Sequence, residues 1–437
     1  MTKTETATPQ FRSSLTCTPD EVKSVLEAKI HEEEAIAQRS ATAAALAYEE
    51  QLLSRVSSRP GAVRVVSLFS GAGGLDLGAK LAAVSCSVGH ERAYELLKDA
   101  PALDAAARGI DFVYSNDMYA AANESYVRNF GGSVVKDSRD IRKVLRFPES
   151  DLILGGFPCP GFSAAGPRLL DDPRNFLYVR YIRALMHSRP AFFVAENVKG
   201  LMTMANGQVL QQITEDFSAA GYQVVAHLVN ARDYGVPQVR ERVFIVGVRQ
   251  DIADEHGYAY ELPEPTHGPG REFPYVTLRD AIGDLPVAAD DVYAGGYSSM
   301  YMFRNRKRGW GEQSFTIQAS GRQAPQYPGG LPMVKVGRDE WVFQGDLNRR
   351  LSVRECARVQ TFPDWFYFSR GSGGASLNHQ LGEQYKQIGN AVPVVLAEKV
   401  LRPILGGSSP HTGADTSWLG MIPSSSPKNI SSLRRDE

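Results

Sequence analysis

Cysteine is scarce in this chain, and the four present (Cys17, Cys86, Cys159 and Cys356) lie far apart and form no C-x-x-C pair. That spacing excludes a disulfide framework and a thiolate zinc site. Long apolar runs are also missing. No stretch approaches the length needed to span a bilayer, and the opening MTKTETATPQ lacks the apolar core of a signal peptide. With neither present, the expected location is the cytoplasm, with no membrane partner. An excess of one charge is absent as well: 48 Lys and Arg stand against 49 Asp and Glu, for a formal net charge of −1. The totals therefore do not announce a nucleic-acid binder, although a local basic patch can act while the rest of the chain is acidic. The 437 residues suffice for two domains, or for one large domain with an insertion.

The most informative stretch is Asp151 to Gly166, DLILGGFPCPGFSAAG. Leu152-Ile153-Leu154 reads as a short buried strand that breaks at Gly155-Gly156. Pro158 and Pro160 flank Cys159, fixing φ and biasing the preceding residues towards extended geometry, so the thiol sits on a stiff, sharply turned loop. A loop at the carboxyl end of a central strand in an open α/β sheet is where ligands and reacting groups collect. A lone cysteine is more often a small buried core residue. Here its neighbours along the chain favour chemistry.

Residues 1–60 look like a helical appendage. Thr18-Pro19-Asp20-Glu21 is a capping signature, and Val22, Val25, Leu26 and Ile30 are spaced for one face. A regulatory or dimerising helix pair and an extension packed on the core both fit. At Val63 the texture changes: Val63 to Phe69 reads as a buried parallel strand running into Ser70-Gly71-Ala72-Gly73-Gly74. Glycines after a strand let the backbone turn tightly and approach a ligand near the next helix N-terminus. The dinucleotide pattern G-x-G-x-x-G fails, because Asp76 stands where the third glycine belongs. Phe112 to Asn116 is the next strand candidate. It ends at Asp117, where an acidic residue commonly accepts ribose hydroxyls. A further acidic turn follows at Lys136-Asp137-Ser138. Together these features suggest a site for an adenosyl ligand.

Beyond Cys159, the small and charged residues from Ser163 to Arg174 suggest a mobile lid. A helix over Phe176–Ser188 leads to the strand Ala191–Ala195, with Glu196 at its end. If that strand parallels the one before Cys159, a carboxylate stands at the same sheet edge as the thiol and becomes a proton-transfer candidate. Gln238-Val239-Arg240-Glu241-Arg242 precedes another buried strand, and alternation puts Gln238, Arg240 and Arg242 on one side. From about Gln250 to Phe343 apolar periodicity is poor, and Arg304-Asn305-Arg306-Lys307-Arg308 is the most basic run. Regular structure returns with a helix start at Leu351-Ser352 and a last helix after Gly389-Asn390-Ala391-Val392-Pro393. From Gly406 the chain is rich in Ser, Gly and Pro, and residues 406–437 are expected to be a disordered tail.

Taken together, these stretches resemble the DNA (cytosine-5) methyltransferases of bacterial modification systems. The resemblance runs from about Arg64 to Leu405. Six motifs occur in order: FSGAGG at Phe69, GGFPC ending at Cys159, ENV at Glu196, QxRxR at Gln238, RxLSxRExARxQxFP from Arg349, and GNAV at Gly389. It implies an α/β, Rossmann-like S-adenosylmethionine-dependent methyltransferase fold with a smaller, mostly irregular and β target-recognition domain. The expected divisions are an N-terminal helical extension (1–60), a catalytic and cofactor domain (61–249), the target-recognition domain (250–345) and a return to the catalytic domain (346–405).

The resemblance also implies roles. Phe69 would lie against the adenosyl and sulfonium portion, where an aromatic face favours a cation. Gly71 and Gly73 would give backbone access, Asp117 would hold the ribose, Asp137 and Ser138 would frame the adenine, and Met118, Pro158, Leu177 and Asn390 would complete the pocket. Cys159 would add to C6 of a flipped cytosine, Glu196 would neutralise N3, Arg242 would hold O2, and Arg240 would support the ring or thiolate. Double-stranded DNA would meet Ser163, Arg174, Gln238, Arg304, Arg306, Lys307 and Arg308. One departure is plain: Pro160 stands where the family usually has Gln. A monomer is expected, bound to DNA in the bacterial nucleoid, with a companion restriction endonuclease acting on the same site without touching it. A tRNA-directed relative is the main alternative. It is disfavoured because the Cys-Phe-Thr element of that branch is absent. An inactive DNA-binding protein is disfavoured by the intact Cys159, Glu196 and Arg242.

Overall fold

A computed structural model describes residues 18–158, 177–297, 299–372 and 376–406. Cys159, Ser163, Arg174, the expected lid and the expected disordered tail beyond Gly406 lie outside the described residues. The chain enters with helix α1 (Pro19–Ser40), opened by the capping box of Thr18 and Glu21, followed by α2 (Ala43–Leu53). Val22, Leu26 and Ile30 face inward as their spacing requires, but Val25 is 58% exposed, so the apolar stripe is narrower than expected. Leu26, Ile30 and Leu52 join the same buried cluster as Val66, Leu68 and Ile153 of the sheet. The extension is therefore packed on the core.

Strand β1 (Val63–Leu68) is followed by α3 (Gly74–Val88), α4 (His90–Leu96), α5 (Ala100–Ala106), β2 (Ile110–Asn116), α6 (Ala120–Phe130), β3 (Val135–Asp137) and β4 (Leu152–Gly155). Then come α7 (Leu177–Ser188), β5 (Phe192–Val198), the single turn α8 (Gly200–Thr203), α9 (Gln208–Ala219), β6 (Tyr222–Asn230), β7 (Gln238–Val239) and β8 (Glu241–Arg249). Among the described residues, seven of these strands form one sheet in the order β3-β2-β1-β4-β5-β8-β6. The first five run parallel, while β8 is antiparallel to both β5 and β6. Central strands buried on both faces need near-continuous apolar sequence, and β1, β4 and β5 supply it.

Helix α10 (Gln250–His256) follows β8 directly, and the hydroxyls of Tyr258 and Tyr260 donate to carbonyls of Pro403 and Val400. Ile252, Ala253, Tyr258 and Tyr260 join the buried cluster that also holds residues of the sheet and of the last helix. The less regular part holds α11 (Leu278–Ile282), β9 (Ser314–Phe315) paired with β7, and the hairpin β10 (Val334–Gly337) with β11 (Glu340–Val342). The last helices among the described residues are α12 (Val353–Val359), α13 (Leu377–Asn390) and α14 (Val394–Leu405), the last lying along α3. That contact is close because Gly78 has no side chain; a Cβ there would stand 2.2 Å from the Ala397 Cβ. No helix among the described residues is long and apolar enough to cross a membrane.

Candidate active site

Sheet order decides where a ligand can sit. The chain leaves β1 towards β2 and β3, then returns to place β4 on the other side of β1, so the carboxyl ends of β1 and β4 flank a topological switch point. A cavity of about 760 Å³ opens there, within the range of about 300–1,000 Å³ usual for small-molecule and cofactor sites.

Its floor is the turn after β1. Phe69 adopts a left-handed φ of 52°, a strained conformation for a residue with a Cβ, and Gly71 follows at 53°. A Cβ at Gly71 would meet nothing within 4 Å, so its glycine serves the backbone twist and not the packing. Asp117 ties the turn down: one carboxylate oxygen accepts from the Gly71 N–H (2.8 Å) and the other from the Tyr119 N–H (2.7 Å). Gly74 is demanded by packing, since a Cβ would stand 2.5 Å from the carbonyl of Val392. Phe69, Gly71, Asp117, Met118, Pro158, Leu177 and Asn390 all line the cavity.

Three residues expected there do not. Gly73, at φ 95°, caps α3 and lies against Phe130, whose ring a Cβ would approach to 2.3 Å. Asp137 is wholly buried and occupied: it accepts from the Tyr114 hydroxyl (2.7 Å) and from the Arg139 guanidinium (2.6 Å). Ser138 is exposed outside the lining. The next turn, Asp140-Ile141-Arg142, takes the place expected for Asp137 and Ser138.

The sequence reading also passed over Asp76, in the first turn of α3. It lines the cavity yet is almost fully buried. Burial pushes its pKa up to about 6, against the pull of Ser67, Tyr126 and Lys136. One of its oxygens accepts from the Tyr126 hydroxyl (3.0 Å), whereas the other has no well-formed hydrogen bond, although Ser67 is near enough to influence the charge. Lys136 donates to Ser70 Oγ at 3.0 Å, and burial brings its pKa down to about 8 against the pull of Asp117, Asp76 and Asp137. The only sequence signal for Asp76 was the missing third glycine.

At the opposite wall, Glu196 on β5 faces the cavity, and its Oε1 stands 2.8 Å from Nε of Arg242 on β8. Arg242 is set behind the carboxylate. Burial lowers its pKa, with Glu196 opposing. Gly156 leaves room for the carboxylate, since a Cβ would lie 3.0 Å from Glu196 Oε2. Asn197 donates to the carbonyl of Phe157 (3.1 Å), pinning the segment that leads to Cys159.

Arg240 and Gln238 point elsewhere. Arg240, 1% exposed, donates to the carbonyls of Ile317, Gly389 and Ala391. Gln238, fully buried, donates to Gln360 Oε1 (2.9 Å) and accepts from the Ile317 N–H (2.8 Å). Arg240 joins the irregular region to the α13–α14 connection and Gln238 joins it to the end of α12, so neither is placed as expected, against the ring or against DNA. The basic run is corrected in the same way. Arg304 is exposed, but Arg306 donates to the carbonyls of Tyr301 and Met300, Lys307 is buried beside Leu347, and Arg308 pairs with Glu312 across the Phe315 ring.

Comparison with known proteins adds an independent line. The model of the family described as C-5 cytosine-specific DNA methylase matches residues 63–406. The chain is 54% identical over 391 residues to the Type II methyltransferase M.BsuRI of Bacillus subtilis, covering 88% of this chain and 87% of that protein. It is 51% identical over 401 residues to M.BspRI of Lysinibacillus sphaericus, covering 90% and 92%. Among solved structures, a prophage-encoded E. coli protein described as a DNA modification methyltransferase shares the fold at 22% identity and a TM-score of 0.54, over 78% of this chain and 98% of that one. A DNMT2 of Spodoptera frugiperda does so at 18% identity and 0.51, over 79% and 99%. The cavity suits the cofactor of such enzymes: it has the volume, a glycine turn, an aromatic ring and the buried Asp76 carboxylate for a cation. The chain belongs to the C-5 cytosine-specific DNA methylases, enzymes that use S-adenosylmethionine to methylate cytosine in DNA.

Proposed function

We propose that the β1–β2 side of the cavity takes the adenosyl cofactor and the β4–β5 side takes a cytosine swung out of its duplex, with Glu196 meeting the ring and Cys159 attacking it. The observation that carries this reading is the Glu196–Arg242 pair on the cavity wall, at the edge where β4 runs out towards Cys159. When bound, S-adenosylmethionine supplies an electrophilic methyl group on a sulfonium centre. Phe69 offers that cation a ring face, Asp117 accepts from the ribose, and Asp76 provides a carboxylate for the positive end.

Cytosine C5 is too electron-poor to be methylated directly. Addition of the Cys159 thiolate to C6 makes C5 nucleophilic and places negative charge at N3. A proton held by Glu196 neutralises that charge, and Arg242 holds the carboxylate in place. After C5 carries its methyl group, loss of the C5 proton lets the thiolate leave. Flipping the base costs a few kcal/mol, recovered by contacts to the ring and to the gap left behind. Arg304 and the region around it lie across the duplex. The enzyme acts as a monomer in the bacterial cytoplasm, on nucleoid DNA, and protects host sites from a companion endonuclease.

The test is transfer of labelled methyl groups to duplex DNA and to tRNA, with a 5-fluorocytosine duplex to trap the adduct. Wild type should label duplex DNA and form a stable protein–DNA adduct that Cys159→Ser cannot form. Labelling of tRNA alone, or an adduct that survives Cys159→Ser, would overturn the reading.

A further inference from the structure

The helices of the N-terminal extension lie outside the region matched by the family model, yet they touch the segment that forms one wall of the cofactor cavity. The contact centres on Glu49 of α2, which is 1% exposed. Its Oε2 accepts from the backbone N–H of Leu145 (2.9 Å) and lies 3.1 Å from Nη1 of Arg139. Arg139 is the residue whose fork grips Asp137 at the end of β3, and Tyr48, beside Glu49, lies against the same guanidinium. Between Arg139 and Leu145 lies the turn Asp140-Ile141-Arg142, which lines the cavity. Glu49 thus holds both ends of a cavity-lining turn from a helix that does not itself reach the cavity. Further hydrogen bonds to this turn come from inside the catalytic region, where Asn116 donates to the carbonyl of Arg139 (2.9 Å) and Arg183 of α7 to those of Ile141 and Val144, and α1 packs against the turn as well.

We propose that Glu49 is a positioning residue for cofactor binding and that the N-terminal helix pair is a brace for the adenosyl pocket. Glu49→Gln removes the counter-charge from Arg139 and weakens the acceptor for the half-buried Leu145 N–H, so the turn loosens while Glu196, Arg242 and β4 are untouched. The effect falls on cofactor affinity and leaves the chemistry alone. This rests on reading the cavity as the cofactor's.

Full-length Glu49→Gln is titrated calorimetrically with S-adenosylmethionine in the absence of DNA, beside wild type and Phe69→Ala. Steady-state rates on duplex DNA are measured in parallel. The dissociation constant of Glu49→Gln should rise about tenfold, with kcat at saturating cofactor and KM for duplex changed less than about twofold. An affinity equal to wild type in the folded variant overturns the proposal. So does a parallel loss of kcat and duplex KM, which would mark general destabilisation. Should Glu49→Gln fail to fold, Arg139→Lys, which keeps the charge but loses the fork, must show the same split, and wild-type affinity there is equally fatal. If Phe69→Ala leaves affinity unchanged, the reading of the cavity fails, whereas loss in Phe69→Ala with none in Glu49→Gln sinks only the brace.

Discussion

Asp76 offers a test in which stability and function move in opposite directions. Its carboxyl is buried, and its pKa stands at about 6 in place of 3.8. Because the folded value lies above the unfolded one, the native state binds more protons than the unfolded chain between about pH 4 and pH 6. Stability therefore falls as pH rises through that window, and the charge costs about 3 kcal/mol once it is fully formed. Asp76→Asn keeps the shape and the acceptor for the Tyr126 hydroxyl, while the new amide faces Ser67, so the cost of the charge is removed with little else altered. Urea unfolding of wild type and variant should give equal stability at pH 4. At pH 7.5 the variant should gain about 2–3 kcal/mol, since other titrations cancel in the comparison. S-Adenosylmethionine should bind the variant more weakly, because a cavity that holds a cation loses a facing charge. A stability difference that does not change with pH, or a variant less stable at pH 7.5, would refute the account of Asp76 as a charge kept at a cost for its ligand.

Glu196→Gln should lower kcat on duplex DNA by on the order of 10²-fold or more, the usual range for a lost general acid, with cofactor affinity kept within about twofold by calorimetry. Unchanged turnover would remove Glu196 from the chemistry. Gly74→Ala should destabilise the fold by about 1–3 kcal/mol in urea melts, since the added Cβ meets the Val392 carbonyl at 2.5 Å. Gly71→Ala has open space and should cost only the left-handed backbone term of about 1–2 kcal/mol. A cost below about 1 kcal/mol for Gly74→Ala would show that the packing of α3 on the α13–α14 connection is looser than described.

The framework of the sheet was legible because buried strands carry a strong signal. Val63–Phe69, Phe112–Asn116, Leu152–Leu154, Ala191–Ala195 and the run Val243–Val248 coincide with β1, β2, β4, β5 and β8, except that Phe69 and Ala191 fall just outside their strands. The sequence reading has no strand over Tyr222–Asn230, where β6 lies at the sheet edge with mostly half-exposed residues that keep no clean alternation. Side-chain direction was the harder problem. Alternation from Gln238 to Arg242 assumes one continuous strand, but β7 leaves to pair with β9 and β8 begins at Glu241, so Arg240 falls at a break and turns into the interior. The basic run failed for another reason. A count of cations says nothing about where donors point, and Arg306 and Arg308 are satisfied by their own loop and its neighbours.

Why Arg242 reaches Glu196 at all follows from the one reversal in strand direction. In an all-parallel sheet the residue that begins a strand lies at the edge opposite to the residue that ends its neighbour. With Glu241 opposite Phe192, Arg242 would stand three residues from Glu196 along the strands, about 10 Å away, instead of beside it. Because β8 runs antiparallel to β5, Val198 near the end of one is paired with Arg242 near the start of the other, and Glu196 with Phe244. Residues 196 and 242 therefore meet at the carboxyl edge where β1 and β4 open the cofactor cavity. Reversing β8 puts a cation behind the carboxylate without any of the loops supplying it, and sets the pair on two central strands whose mutual register is fixed by hydrogen bonds. The role proposed for Glu196, meeting a flipped base within about half an ångström, needs a mounting of that rigidity.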